Sequence, residues 1–365
     1  MSFAATVLQN LRHSRINSGQ RVDMHELRSR AGNVGFTRLF QADTPLLLGS
    51  EANPASMVSK IKNLSDDRTH QIVAMDNGTV NDKAGVRSCT ITTQQNDSQL
   101  LAVTFTTIVY DFNMLPMQLW NGGAGNNEIA YAEDFEQKIV NIEDAAFAAV
   151  EASCIASALA YKTINTAYDA QTPYTIQVAN EAMDVPLAEH FDFLNQIDPI
   201  VSLHKFGSGG LNIVASQMYQ ADVNRHAESG SLKVIDSNGV SDSAEAWQLQ
   251  NKIFRYTDYL PAIAVPAVVK HRVFASKPAT FGLVTQNPPA FRNGAVTGDG
   301  TKFEETGAMP ISGFSYGHQK RVDCLNGKEV QEFHQLSLNY TTISAHNATA
   351  ATEPSACFEA NLLAV

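Results

Sequence analysis

The residues that could do chemistry come first. The ten histidines are widely dispersed and show no metal-ligand spacing. His190, between Glu189 and Asp192, reads as part of a helix surface. The single glycine cluster, Gly207-Ser208-Gly209-Gly210, lacks the Lys-Ser/Thr of a phosphate loop and precedes a strand, so it reads as a turn. Ser208 has no strand before it and no helix after it, so it makes no nucleophile elbow. Glu133 and Asp134 are adjacent on a helix and diverge in direction, which rules them out as a paired acid and base. Cys89, Cys154, Cys324 and Cys357 lie far apart and read as reduced thiols of a cytosolic setting, with Cys154 on an apolar helix stripe. No catalytic constellation, cofactor motif or metal set emerges. The chain reads as a structural or binding protein and not as an enzyme.

The element that must position everything else runs from Asn127 to about Thr163. Phe135, Ile139, Ile142, Ala146, Ala149 or Val150, Cys154, Ala158 and Tyr161 recur at three- or four-residue steps, which predicts one continuous amphipathic helix. No Pro or Gly interrupts it, and Ala dominates its second half. At ~1.5 Å per residue such a helix is about 50 Å long. Its outer side is expected to be acidic, with Glu128, Glu133, Asp134, Glu136, Glu143, Asp144 and Glu151 against Lys138 and Lys162.

Composition bounds the rest. The chain has 365 residues, 44% hydrophobic content and a net charge of −11, which indicates a folded protein that does not bind nucleic acid through its whole surface. No secretory leader and no run of membrane-spanning length is seen. Residues 1–40 differ from the remainder. Arg12, Arg15, Arg21, Arg28, Arg30 and Arg38 face only Asp23 and Glu26, about +4 in all, and apolar residues are sparse and unpatterned. That predicts an arm ordered by another subunit. From about Phe40 the pattern turns to strand. Asn77-Gly78, Asn81-Asp82, Gly85 and Asn96-Asp97 then punctuate a long polar β-hairpin. Its returning strand alternates, with Val103, Phe105 and Val109 expected on one side and Thr104, Thr106 and Ile108 on the other. Such an excursion lacks a core of its own, so it stands in solvent or docks on a neighbour. Beyond the long helix, PLAEHFDFLNQID predicts a short helix, and LNIVASQMYQADVNR predicts a strand running into a helix capped by Ser216. Pro-broken strands follow, then strands around an Asn326-Gly327 turn.

The order of these elements, with VTFTTIVYDFNML leading into the long helix and the strand-to-helix segment after it, resembles the major capsid proteins of tailed double-stranded DNA bacteriophages, the Hong Kong 97-type fold. The resemblance implies an α+β chain with an N-terminal arm (1–40), an entry to the peripheral domain (41–69) and an extended β-hairpin loop (70–100). The peripheral domain with its spine helix (101–171), an axial domain (172–313), and return strands with a C-terminal tail (314–365) complete it. It implies self-assembly into hexamers and pentamers of an icosahedral shell around double-stranded DNA, bound without sequence specificity. No long scaffolding region precedes the arm, so separate scaffolding and portal proteins are expected. The setting implied is the virion, assembled in the bacterial cytoplasm, with no membrane and no cofactor. Candidate contacts to a neighbouring subunit or to DNA are Arg12, Arg15, Arg21, Arg28, Arg30, Glu133, Glu136 and Glu143: a basic arm and an acidic rod on one chain are complementary between copies. The alternatives are another self-assembling subunit, such as a tail-tube or encapsulating-compartment protein, and a soluble enzyme.

Overall fold

In a computed structural model, the described residues are 33–50, 52–62, 70–75, 98–116, 127–164, 174–177, 181–203, 210–228, 234–235, 246–249, 252–261, 268–286, 302–309, 312–325, 329–345 and 355–364. The chain is α+β. Two sheets are bridged by the long helix and a shorter one.

The shorter helix, α1 (Gly35–Leu48), overturns one expectation. Val34, Phe36, Leu39 and Phe40 were assigned to a core-poor arm, yet all four are buried in the largest apolar cluster. Their three- and four-residue spacing continues through Asp43 and Leu47, so the segment around TPLLL is helical where strand was expected. Pro45 sits in the last turns, and the helix stops at Gly49, whose φ of 87° suits only glycine. At its start, a side chain on Gly35 would lie 2.6 Å from the Tyr256 carbonyl oxygen, so glycine lets the helix meet the sheet. A second correction follows at α2 (Met57–Lys62), again helix in place of strand.

Strands β1 (His70–Met75) and β2 (Ser98–Val103) pair with each other antiparallel, as a sheet of their own. The hairpin tip at residues 76–97, including Lys83, lies outside the described residues. β3 (Thr106–Met114) follows, and its inward residues are Ile108, Tyr110, Phe112 and Met114, while Val109 is exposed. Val103 and Phe105 are buried as expected, and the alternation changes phase at Thr106–Thr107, which are both outward.

The long helix α3 spans Asn127–Tyr161. It lies over a sheet in which the 16-residue β14 (Glu329–Ser344) pairs with β3, β11 (Phe281–Gln286) and β13 (Ser315–Leu325), with β12 (Lys302–Ala308) beside β13. Every expected stripe residue from Phe135 to Ala158 except Ala149 is buried, with Val150 taking that place. Two hydroxyl contacts tie the far end to β14: Ser153 with Tyr340 at 2.6 Å and Ser157 with Thr342 at 2.7 Å.

The second sheet holds eight strands. These are β4 (Thr175–Gln177), β5 (Ala182–Pro186), β15 (Cys357–Leu363), β10 (Val269–Ser276), β6 (Leu211–Ser216), β9 (Lys252–Thr257), β8 (Ala246–Leu249) and β7 (Val234–Ile235), in that order. The C-terminal strand thus lies inside it, parallel to β5 and antiparallel to β10. Helices α4 (His190–Leu203) and α5 (Tyr219–Glu228) complete the second core through Phe193, Ile197, Tyr219 and Val223. The chain passes from one sheet to the other at the β10–β11 turn. There Asp43 of α1 accepts the Thr280 N–H at 3.3 Å and the Asn212 amide at 3.0 Å.

Candidate functional site

The basic candidates Arg12, Arg15, Arg21, Arg28 and Arg30 lie outside the described residues, as do the side chains of Glu133 and Glu136. Glu143 is described, and its expected exposure is wrong: it is fully buried. Its Oε1 accepts the backbone N–H of Ser312 at 2.6 Å and the Ser312 hydroxyl at 2.9 Å. Glu151, also placed on the outer face, is fully buried too. Its carboxylate receives the N–H groups of Phe36 (3.1 Å) and Thr37 (2.6 Å) and the Thr257 hydroxyl (2.6 Å).

The physical reason is local to α1. Its first N–H groups have no partner within the helix, and Val34 offers no capping side chain. Glu151 supplies the cap from 115 positions away and places negative charge at the positive end of the helix dipole. Burial pushes its carboxyl above the usual range, and the bonds from Thr257, Thr37 and Phe36 pull against that rise. The long helix therefore buries two stripes. One faces the sheet, and the other carries Glu143, Phe147 and Glu151 toward α1 and the Ser312–Phe314 turn, where Phe147 meets Phe314 and the Arg38 guanidinium.

Just past the helix end, Lys162 was also read as solvated. It is buried and ion-paired to Glu359 of β15, which is salt-bridged on its other oxygen by Arg272 of β10. Arg272 also donates to the Pro261 carbonyl at 2.8 Å. A fully buried carboxylate thus ties the long helix to the eight-stranded sheet.

Near the other end of the helix, His318 (β13) and His334 (β14) are buried side by side, with His318 Nε2 and His334 Nδ1 2.9 Å apart. Phe112 of β3 stacks on His334 with ring centres 4.9 Å apart, and Phe135 of α3 sets its edge against both imidazoles. Glu332 stands 3.5 Å from His334 Nε2, is salt-bridged to Lys320 at 2.9 Å, and accepts the Tyr131 hydroxyl at 2.6 Å. Burial alone would raise the Glu332 carboxyl, but His334, Tyr131 and Lys320 hold it down at about 2. Burial lowers His334 below its ordinary value, Glu332 pulls it back up, and the charges of His318 and Lys320 push it down again.

A third constellation has the ingredients of a hydrolase. Ser216 Oγ lies 3.3 Å from His271 Nδ1, and His271 Nε2 lies 3.1 Å from Asp222. Ser216 ends β6 and α5 begins at Tyr219, so its hydroxyl faces His271 instead of capping the helix. The surroundings do not serve acyl transfer. The amide after Ser216, which an oxyanion would need, donates to the Thr257 carbonyl at 3.1 Å. His271 is nearly wholly buried, and the ≈ 220 Å³ cavity lined by Gln41, Pro45, Val58 and Leu283 belongs to α1, α2 and β11. The triad is a hydrogen-bond chain joining β6, β10 and α5. Among the described residues, no group of three or more His, Cys, Asp or Glu is arranged to hold a metal, and no helix is long and apolar enough to cross a membrane.

The imidazole pair was missed by sequence reading. β13 and β14 pair antiparallel with His318 opposite Leu336 and Lys320 opposite His334, so the two histidines are diagonal neighbours on one face, a register that the Asn326-Gly327 dipeptide alone does not give. Glu143 and Glu151 carried no signal either.

No protein-family model and no curated protein matches the chain. Solved structures do resemble it. The capsid of cyanophage A-1(L) covers 96% of this chain and 98% of its own at 10% identity and a TM-score of 0.48. The capsid structure of cyanophage P-SCSP1u covers 83% and 85% at 9% identity and a TM-score of 0.45. A Mycobacterium phage Adephagia structure covers 100% and 98% at 11% identity and a TM-score of 0.40. At identities this low and TM-scores below one half, these are likenesses of overall form only.

Proposed function

We propose that this chain is the major capsid protein of a tailed double-stranded DNA bacteriophage, and that copies of it close into the icosahedral head shell. The observation that carries the reading is the β1–β2 hairpin, whose two strands pair with each other and join neither large sheet. A two-stranded ribbon is marginal in water, and the residues between its strands, 76–97, are polar and turn-rich. Burial supplied by a neighbouring copy resolves that deficit. The order of arm, hairpin, long helix, second sheet and returning strands supports the same conclusion. So does a helix whose buried side chains tie two sheets into one stiff unit.

In this reading the protein is structural and not an enzyme. Arg12, Arg15, Arg21, Arg28 and Arg30 meet a neighbouring subunit or packaged DNA, and Glu133 and Glu136 offer carboxylates to a neighbour. Glu143 leaves that set, because its carboxylate is committed to Ser312. Scaffolding and portal proteins act as separate partners, and assembly in the bacterial cytoplasm yields a virion component.

Light scattering after size-exclusion chromatography, with electron micrographs of the same fractions, tests this. Closed shells are the expected product. Open tubes, or a small oligomer of fixed size at every concentration, would overturn the proposal. Replacing residues 76–97 by a short Asn-Gly turn should leave a folded subunit that no longer closes shells.

A further inference from the structure

We propose that β5 and β10 form a strand-binding slot, and that residues 355–364 fill it as a separable ligand chosen by its sequence. The inference concerns the subunit alone and does not depend on the capsid reading.

The walls of the slot are built without its occupant. β10 pairs with β6 on its far side, and β6 with β9, so that wall belongs to a ribbon of its own. Phe274 of β10 is also set edge-on against Phe36 of α1, with ring centres 5.2 Å apart. β5 pairs with β4 on its far side, and its Met183 and Val185 share a core with Phe193 and Ile197 of α4. β15 lies between the walls, with Cys357–Leu363 opposite Ser276–Val269 of β10 and Glu359–Leu363 opposite Ala182–Pro186 of β5. Its partners come from far along the chain. Asp184 is 177 positions from Asn361, and Arg272 is 87 from Glu359.

The occupant is read on both faces and at both ends. Phe358, Ala360 and Leu362 enter the second core, so one face must carry apolar side chains at alternate positions. The other face presents Glu359 and Asn361, both fully buried. Glu359 is salt-bridged by Lys162 and Arg272, and Asn361 donates to Asp184 at 3.3 Å. A neutral side chain at 359 would remove the carboxylate that two buried cations share, which selects an acidic residue there. At the start of the strand, the Lys277 N–H reaches the Ala356 carbonyl at 3.0 Å and the Thr163 N–H reaches that of Cys357 at 3.2 Å. At its other end the Ala364 N–H donates to the Val268 carbonyl at 2.9 Å. The slot therefore takes an extended peptide in which apolar residues alternate with an acid and an amide, in one register. Backbone bonding on two sides supplies the affinity, and the alternate side chains supply the choice. Because β5 and β15 are so distant in sequence, loop closure makes filling the slot the last step in forming the sheet.

The test uses the whole chain, folded before it is cut. A protease recognition sequence replaces residues 347–352, and cleavage leaves the segment that carries β15 held by contacts alone. That segment should stay with the body through gel filtration. An excess of fluorescent synthetic peptide 355–364 should then replace it, one per body. Peptides with Glu359→Ala or Phe358→Ala should compete at least tenfold more weakly, and a scrambled peptide should not compete. Release of the segment on cleavage overturns the slot, as does a segment that never exchanges or equal competition by the scrambled peptide. If the variant does not fold or is not cut, pulsed hydrogen exchange during refolding of the unaltered chain decides. Residues 182–186 and 357–363 should then gain protection at least tenfold later than 315–323 and 330–344, and simultaneous protection overturns the proposal.

Discussion

The two halves of the long helix hold their charges in opposite ways. The first half meets the sheet through Tyr131, His318, His334, Glu332 and Lys320, side chains gripping side chains. From its middle onward the helix sends Glu143 and Glu151 into backbone and hydroxyl donors of Ser312, Phe36, Thr37 and Thr257. Backbone donors do not titrate, so acid affects the halves differently. His334 is lowered in the folded state, so its contribution is present above about pH 6.5 and is lost as pH falls through its folded value. Glu151 and Asp43 are raised, Asp43 to about 6, because burial disfavours their charge. Their contribution is fully present below the ordinary carboxylate range and is lost as pH rises through the folded value. Acid therefore works against the His334 contacts and does not work against the buried carboxyls of Glu151 and Asp43.

Substitutions can break this comparison. The largest effect is expected at Glu151→Ala, which strips three buried donors of their acceptor at roughly 1–3 kcal/mol each, for a total of at least about 3 kcal/mol in a denaturant melt. A loss below about 1 kcal/mol would mean that α1 does not need a cap from the long helix. Glu143→Ala leaves the Ser312 amide and hydroxyl without their acceptor and should cost about 1–3 kcal/mol by the same measurement. The smallest effect belongs to Asp134→Ala. This residue is part-exposed and pairs with Lys138 one turn on, an interaction worth about 0.3–0.5 kcal/mol that salt should erase. Equal losses at Asp134 and Glu143 would show that the second buried stripe contributes nothing.

Much of the frame was legible without coordinates. The apolar period from Phe135 to Ala158 marked the helix, which ends at Tyr161, two residues short of the expected limit. Alternation marked strands: the one expected from Leu211 to Ala215 runs to Ser216, and the helix expected over residues 186–198 is found at His190–Leu203. These features depend on neighbours within a turn or two, and periodicity records that range. The β3 phase was misread because the alternation slips between Thr106 and Thr107, both exposed, which reverses every later side chain.

The polar interior was not legible, and the reason is distance. A glutamate at a helical position looks solvated unless a donor waits for it. The donors for Glu143 and Glu151 lie 169 and 115 positions away, while Glu359 draws Lys162 and Arg272 from 197 and 87. The sequence by itself determined the long helix with its sheet-facing apolar stripe and the strand that begins at Leu211, since backbone geometry repeats such a pattern locally; it did not determine the helices at Gly35–Leu48 and Met57–Lys62. Only the tertiary structure decided which carboxylates are buried and which imidazoles touch. A buried charge is tolerated solely where folding has brought its partners within about 3 Å.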